Sequence, residues 1–65
     1  MTLGEKLKSL REKNGLSVRQ LASLVGKDPA QITRWETGKN IPTIYSLRAL
    51  AFALETDIND LLKLL

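Results

Sequence analysis

The sequence predicts an all-α fold, a compact single domain of five short helices spanning residues 1–65. Apolar residues recur at helical spacing in five segments, and each segment begins at a residue type that caps helices. No segment shows the period-two alternation of a strand. The chain has 65 residues and is 43% hydrophobic, which is enough for one core. Helices this short are marginal alone, so we expect them to depend on mutual packing.

The first helix is predicted to begin at a capping box. Thr2 is a capping hydroxyl, and Glu5 follows three residues later. Gly15 marks the end of the helix. Arg11 lies four residues after Leu7 and therefore borders the buried stripe. The predicted core residues of this helix are Leu3, Leu7 and Leu10.

The second and third helices are predicted to form a helix-turn-helix. Ser17 and Gln20 make a second capping box, and Gly26 ends the second helix. Only Gly26 and Lys27 separate it from Asp28, the next capping residue. Two short helices joined by so tight a turn must cross at a large angle. The predicted buried face of the second helix is Leu21, Ala22 and Val25.

The third helix, residues 28–37, has two contrasting faces. Pro29 suits its first turn, and Gly38 suits the position just past its end. Ile32 and Trp35 share one side at helical spacing. By itself this segment favours equally a helix that inserts into a groove and an ordinary amphipathic surface helix. The opposite side is small, polar and basic, without an acid: Ala30, Thr33, Arg34 and Thr37.

The fourth and fifth helices complete the predicted core. Pro42 breaks the chain, Thr43 caps the fourth helix and Asp57 caps the fifth. Phe52 does not fall on the apolar stripe of the fourth helix. The predicted inward residues are Ile44, Leu47, Leu50, Ala51 and Leu54, followed by Ile58, Leu61 and Leu62.

Composition argues against an enzyme and against a metal or cofactor site. The chain lacks cysteine and histidine, so it has no thiolate, no imidazole ligand and no histidine base. Its seven acids show no pairing suited to acid–base catalysis. The longest apolar run, residues 49–54, is too short to span a bilayer, and no signal peptide is evident. We therefore expect no membrane association and a cytoplasmic location.

The net charge of +3 is unevenly distributed. Residues 1–40 contain eight Lys and Arg against four acids, a balance of +4, whereas residues 41–65 contain two against three, a balance of −1. This distribution is compatible with a polyanionic partner for the first part, and equally with chance asymmetry on a solvated surface.

In this order, the motifs resemble those of the lambda/434 repressor and Cro (Xre-type) helix-turn-helix family. Three segments match in register: Q-L-A at residues 20–22, W-E-x-G-K-x-x-P at residues 35–42, and L-x-x-L-A-x-x-L at residues 47–54. The resemblance implies a lambda-repressor-like five-helix domain whose third helix enters the DNA major groove. It further implies a sequence-specific transcriptional regulator, most simply a repressor, acting on double-stranded DNA.

The resemblance also implies roles for individual residues. Arg11 and Glu36 match a structural ion pair beneath the DNA-facing surface. Among the base-reading positions, Arg34 is the strongest candidate, because a bidentate arginine suits guanine. The other implied base contacts are Ala30, Gln31 and Thr33, and the phosphate candidates are Ser17, Arg19, Gln20, Thr37, Lys39 and Asn40.

One recognition helix reads few base pairs, so we expect a homodimer, at least on DNA, and a near-palindromic operator. The alternative is a protein-interaction module, such as an antitoxin-like or assembly subunit. It is suggested by the leucine-rich segment of residues 61–65, whereas the acid-free face around Arg34 favours DNA. The predicted dimer interface comprises Phe52, Ile58, Leu62 and Leu65.

Overall fold

The computed structural model describes residues 1–65 and contains five helices joined by short turns, without a strand. The predicted all-α class and five-helix order are confirmed. The domain measures 26 × 23 × 21 Å along its principal axes. None of its helices combines the length and the apolar character needed to cross a membrane. The helices are α1 (Leu3–Lys13), α2 (Val18–Val25), α3 (Pro29–Glu36), α4 (Ile44–Ala53) and α5 (Ile58–Leu62).

Each helix begins immediately after the capping residue that the sequence indicates. In α1, the Thr2 hydroxyl accepts from the Glu5 N–H at 3.1 Å, and the Glu5 carboxylate accepts from the Thr2 N–H at 2.8 Å. The hydrogen bond from the Thr2 backbone also holds the pKa of Glu5 below its ordinary value. The other four N-caps are Ser17, Asp28, Thr43 and Asp57.

A left-handed glycine follows each of the two helices of the helix-turn-helix. Gly26, at φ 68°, closes α2, and its N–H donates to the carbonyls of Ala22 and Ser23. Gly38, at φ 81°, lies one residue beyond the C-cap of α3. Glycine adopts this conformation without the steric cost that a Cβ brings. The chain therefore turns sharply at both places, which keeps α3 short and well defined.

A single hydrophobic core joins all five helices. α3 packs against α1 and α2, while α4 packs against α2 and α5. Within α3, Ile32 and Trp35 face inward and are 1% and 4% exposed. Burying each large apolar side chain contributes roughly 1.5–3 kcal/mol. The buried hydrophobic residues are Leu3, Leu7, Leu21, Ala22, Ile32, Trp35, Leu47, Leu50, Ala51, Leu54 and Leu61.

Several predicted core positions differ in the structure. Ile44 was expected to face inward, but it is 47% exposed. It opens α4, and because helical side chains lean toward the N-terminus, a first-turn side chain projects beyond the helix instead of onto the core. Leu10, in the last turn of α1, and Val25, the last residue of α2, lie at the edge of the core and are only partly buried. Ile58 and Leu62 of α5 are likewise partly buried against the core.

Gly4 within α1 and Asn14 just past its end make close contacts with other helices that the sequence does not indicate. Gly4 lies so close to the end of α3 that a Cβ there would sit 2.4 Å from the Glu36 carbonyl oxygen and 2.7 Å from that of Trp35. At the other end, the Asn14 side-chain amide donates to the Leu10 carbonyl at 2.8 Å and to the Leu54 carbonyl at 3.1 Å. α1 is therefore attached to both α3 and α4.

Candidate nucleic-acid interface

The outward face of α3 is an open, acid-free surface. Ala30, Thr33, Arg34 and Thr37 are all exposed. They line a shallow concavity together with Lys39 from the following turn. Because Ile32 and Trp35 anchor the opposite side in the core, this face is presented by a helix that is fixed in place. We refer to these five lining residues as the α3 concavity.

Hydrogen bonds within α3 constrain several of these side chains. The Thr37 hydroxyl donates to the Thr33 carbonyl at 2.8 Å, and the Thr33 hydroxyl donates to the Pro29 carbonyl at 3.4 Å. Arg34 Nη1 donates to Gln31 Oε1 at 3.5 Å, the long limit of such a bond. The guanidinium of Arg34 is thus exposed and only loosely held, which leaves its fork available to a ligand.

The first turn of α2 presents a second polar group of residues. Ser17 Oγ accepts from the Gln20 N–H at 3.0 Å, and Gln20 Oε1 accepts from the Ser17 N–H at 2.8 Å. This capping box uses the oxygens of both side chains, so the Ser17 hydroxyl proton and the Gln20 amide protons remain as donors. Arg19 is exposed on the same turn. Donors without acids at a helix N-terminus suit an anion.

Arg11 connects α1, the end of α3 and the segment leading into α2. Its Nε donates to Glu36 Oε2 at 2.7 Å and its Nη2 donates to Glu36 Oε1 at 3.2 Å, a bidentate arrangement. Its Nη1 donates to the Leu16 carbonyl at 2.9 Å, next to the Ser17 cap. The two side chains of the ion pair are 11% and 7% exposed. The hydrogen bond to Glu36 raises the pKa of Arg11 above its already high ordinary value.

The turn after α3 contributes side chains but not backbone donors. The N–H groups of Lys39 and Asn40 donate to the Arg34 carbonyl at 2.9 and 3.3 Å. Their side chains are exposed. Any contact with a ligand therefore depends on the Lys39 ammonium and the Asn40 amide.

The sequence matches a known protein family over most of its length. The sequence model of the helix-turn-helix family matches residues 7–61, which include α2, α3 and the turn between them. The chain belongs to the Xre-type helix-turn-helix family.

Relatives of this helix-turn-helix chain include regulators from two bacteria. The chain is 39% identical over 62 residues to the HTH-type transcriptional repressor RghR of Bacillus subtilis (strain 168), covering 94% of this chain and 46% of RghR. It is 34% identical over 63 residues to the HTH-type transcriptional activator BcrR of Enterococcus faecalis, covering 97% of this chain and 31% of BcrR. The chain thus spans less than half the length of these two relatives.

The structure is also similar to that of the P22 c2 repressor in complex with a synthetic operator. The two chains share 28% identity and a TM-score of 0.90, with 94% of this chain and 92% of the repressor covered. The agreement extends over nearly the whole of both chains, so the likeness is not restricted to the two helices of the motif.

The residues predicted to form a dimer interface are not equally accessible. Phe52 and Leu65 are 89% and 64% exposed, whereas Ile58 and Leu62 are partly buried against the core. Leu61 is fully buried, and Leu64 also packs on the core. Most leucines of residues 61–65 are therefore used within the domain. Of the leucines that suggested a protein-interaction module, only Leu65 remains largely exposed.

Sequence reasoning placed Lys39 among the phosphate candidates but missed its position beside Arg34. In the structure the two residues line the same concavity. The left-handed Gly38 reverses the chain, so that the residue after it returns alongside the last turn of α3. This glycine was recognised in the sequence as a helix end, and the same signal indicates that Lys39 belongs beside the outward face of α3.

Proposed function

We propose that this helix-turn-helix chain is a sequence-specific double-stranded DNA-binding transcriptional regulator, a repressor that acts by occupying its operator. The observation that carries the proposal is the acid-free outward face of α3, exposed on a helix whose opposite face is locked into the core. The close structural similarity to a repressor bound to its operator supports placing α3 in the major groove. The proposal assigns the chain no reaction of its own.

In this pose Arg34 is the principal base-reading residue. Its exposed fork can donate two parallel hydrogen bonds to O6 and N7 of guanine, which is the commonest specific contact in the major groove. Gln31 lies next to it and can donate or accept at the edge of the same site. Ala30 and Thr33 complete the proposed base-reading set.

Two groups of donors flank α3 and are proposed to contact phosphates. On one side is the first turn of α2, where the Ser17 hydroxyl and the Gln20 amide lie at a helix N-terminus and Arg19 is exposed. On the other side is the end of α3 with its following turn. Phosphate contacts of this kind fix orientation on the duplex without reading sequence. The proposed residues are Ser17, Arg19, Gln20, Thr37, Lys39 and Asn40.

We also propose that two copies of the chain bind a near-palindromic operator as a homodimer. A two-fold pair needs a self-complementary patch. Exposed Phe52 and Leu65 supply apolar surface in residues 41–65, which carry no excess of positive charge. Ile58 and Leu62 lie between them in the sequence and are partly accessible. Half-sites would then lie one turn of DNA apart, about 34–36 Å.

The salt dependence of DNA binding tests the phosphate contacts. The logarithm of the association constant should fall linearly with the logarithm of salt concentration, by about 0.9 per phosphate neutralised. Lys39→Ala should weaken binding to preferred and random duplexes alike and reduce the slope by about one phosphate. The matched control is Lys63→Ala, which removes an exposed lysine from residues 41–65, where acids outnumber basic residues by one. An affinity that does not respond to salt would contradict the proposed function.

A further inference from the structure

Asn14 and Gly15 form the only Asn-Gly pair in the chain, at the point where α1 ends. An asparagine in this dipeptide is especially prone to lose its side-chain amide, because glycine has no side chain to shield its backbone nitrogen from the neighbouring carbonyl carbon. The other two asparagines, Asn40 and Asn59, are followed by residues that carry side chains. The intrinsic reactivity of the chain is therefore concentrated at Asn14.

The folded chain uses both amide protons of Asn14. Its Nδ2 donates to the Leu10 carbonyl at 2.8 Å and to the Leu54 carbonyl at 3.1 Å. Both partners only accept, so the network fixes the orientation of the amide. The Leu54 carbonyl lies at the C-cap of α4 and accepts no backbone hydrogen bond. A side chain without donors at position 14 would leave this carbonyl without its partner.

The groups that would react are restrained in the folded chain. The Gly15 N–H donates to the Glu12 carbonyl at 3.0 Å, and Gly15 is held at φ 70°. Ring closure requires this nitrogen to be free to attack Cγ of Asn14, and it requires the Asn14 side chain to rotate toward the nitrogen. Both conditions are met when the end of α1 opens, which is the kind of local opening that folded proteins undergo.

We propose that Asn14 is a self-modification site, at which opening of the domain is converted into a permanent change of the chain. In the open state the Gly15 nitrogen bonds to Cγ of Asn14 and gives up its proton. Nδ2 takes up a proton and leaves as ammonia. Water then opens the resulting succinimide at either carbonyl, which gives aspartate or isoaspartate. The reaction needs no co-reactant other than water.

The product does not fit the site that held the amide. An ionised carboxylate has no donor, yet it would face two carbonyl oxygens. Glu55 lines the same shallow cavity as Asn14, so the new charge lies near an existing carboxylate. Lys13 also lines this cavity but is exposed, so it offsets the repulsion only in part. The modification therefore weakens the attachment of α1 to α4, and the opening that led to it becomes more frequent.

The modification is coupled to any ligand that binds the closed chain and not the open one. Such a ligand lowers the open population and slows the reaction by the same factor. Operator-bound copies of the chain would then keep Asn14, whereas free copies would lose it with time. This consequence rests on the proposed function, whereas the modification site does not.

Timed incubation at neutral pH, followed by peptide mass spectrometry, tests the site. The folded chain is compared with the chain unfolded in urea. We expect Asn14 to be converted first among the three asparagines of the unfolded chain, and at least about tenfold more slowly in the folded chain. Below the unfolding transition, its conversion should rise with urea in parallel with hydrogen exchange at the Gly15 amide. Equal rates in the folded and unfolded chains would overturn the proposal.

Matched variants test what the modification does to the fold. Asn14→Asp reproduces the aspartate product and should lower the melting temperature by about 5–15 °C, because it removes both side-chain hydrogen bonds. Asn59→Asp adds the same charge at an exposed position in the first turn of α5 and should not lower it. Asn14→Gln keeps an amide that closes a larger ring far more slowly, so this variant should stay unconverted at position 14.

The outcomes separate this inference from the proposed function. An Asn14→Asp chain as stable as the wild type would overturn the effect of the modification on the fold. Conversion of Asn14 that is not slowed by a saturating amount of a preferred duplex would overturn its coupling to DNA. A chain that converts Asn14 as described but binds no duplex would confirm the site and overturn the proposed function.

Discussion

At the scale of single residues, Arg34 is the side chain on which sequence preference is expected to depend. We expect Arg34→Ala to cost about 1–3 kcal/mol on the preferred duplex and to relax the choice at one base pair. Arg34→Lys is the matched control, because it keeps the charge but loses the planar fork. Binding measured on preferred and random duplexes distinguishes the roles, since equal losses on both would reduce Arg34 to a phosphate contact.

Glu55 is the one residue other than glycine with a positive φ, at 54°, where α4 turns toward α5. A left-handed conformation costs an L-residue about 1–2 kcal/mol. We expect Glu55→Gly to raise the free energy of unfolding by up to about 1 kcal/mol, because the higher entropy of unfolded glycine offsets part of the gain. Thr56→Gly, at a position without positive φ, should destabilise instead. A lower melting temperature for Glu55→Gly would contradict this account.

The residues of the candidate site were predicted unevenly. Arg34 was identified because both its helical phase and its chemistry can be read from the sequence. The direction of the Thr33 and Thr37 hydroxyls was not predicted, because it depends on side-chain rotamers that spacing does not determine. The roles of individual residues in DNA binding stay predictions.

At the scale of elements, the Arg11–Glu36 pair joins α1 to the end of α3. Its side chains are largely buried and its geometry is bidentate, so removing either partner leaves a buried charge without its counterpart. We expect Arg11→Ala and Glu36→Ala each to lower the free energy of unfolding by about 3–5 kcal/mol. The double mutant should lose less than the sum of the two.

A double-mutant cycle on the exposed pair Lys63–Asp60 provides the comparison. These side chains are 69% and 48% exposed, with 3.5 Å between Nζ and Oδ1. Such a pair contributes about 0–1 kcal/mol. If the losses at Arg11 and Glu36 prove additive, the proposed coupling of α1 to α3 is wrong.

The helices were well predicted because their signals are local. Caps such as Ser17 and Asp28 act within one turn, so their effect can be read from a few neighbouring letters. Contacts between helices are less visible. Nothing near Gly4 in the sequence shows that the carbonyls of α3 will approach it, and nothing near Asn14 shows a partner forty residues away at Leu54. Ile44 was misplaced because periodicity does not account for the free end of a helix.

At the scale of the whole molecule, the predicted homodimer is tested by sedimentation with and without DNA. We expect Phe52→Asp and Leu65→Asp to weaken self-association and operator binding, because each places a charge in the proposed interface. Leu24→Asp is the control, since Leu24 is 61% exposed on α2, outside that interface. A wild-type chain that occupies one DNA site as a monomer, unaffected by either substitution, would refute the dimer.

The burial of Trp35 also gives the protein an intrinsic fluorescent probe of its core. It is the only tryptophan, it is 4% exposed, and it lies on the side of α3 that faces away from the proposed groove. Its emission therefore follows the integrity of the core, whereas Tyr45, the only tyrosine, is 77% exposed and senses the surface. A shift of the indole spectrum on adding a ligand would signal a loosened domain, and an unchanged spectrum is the signature of a rigid one.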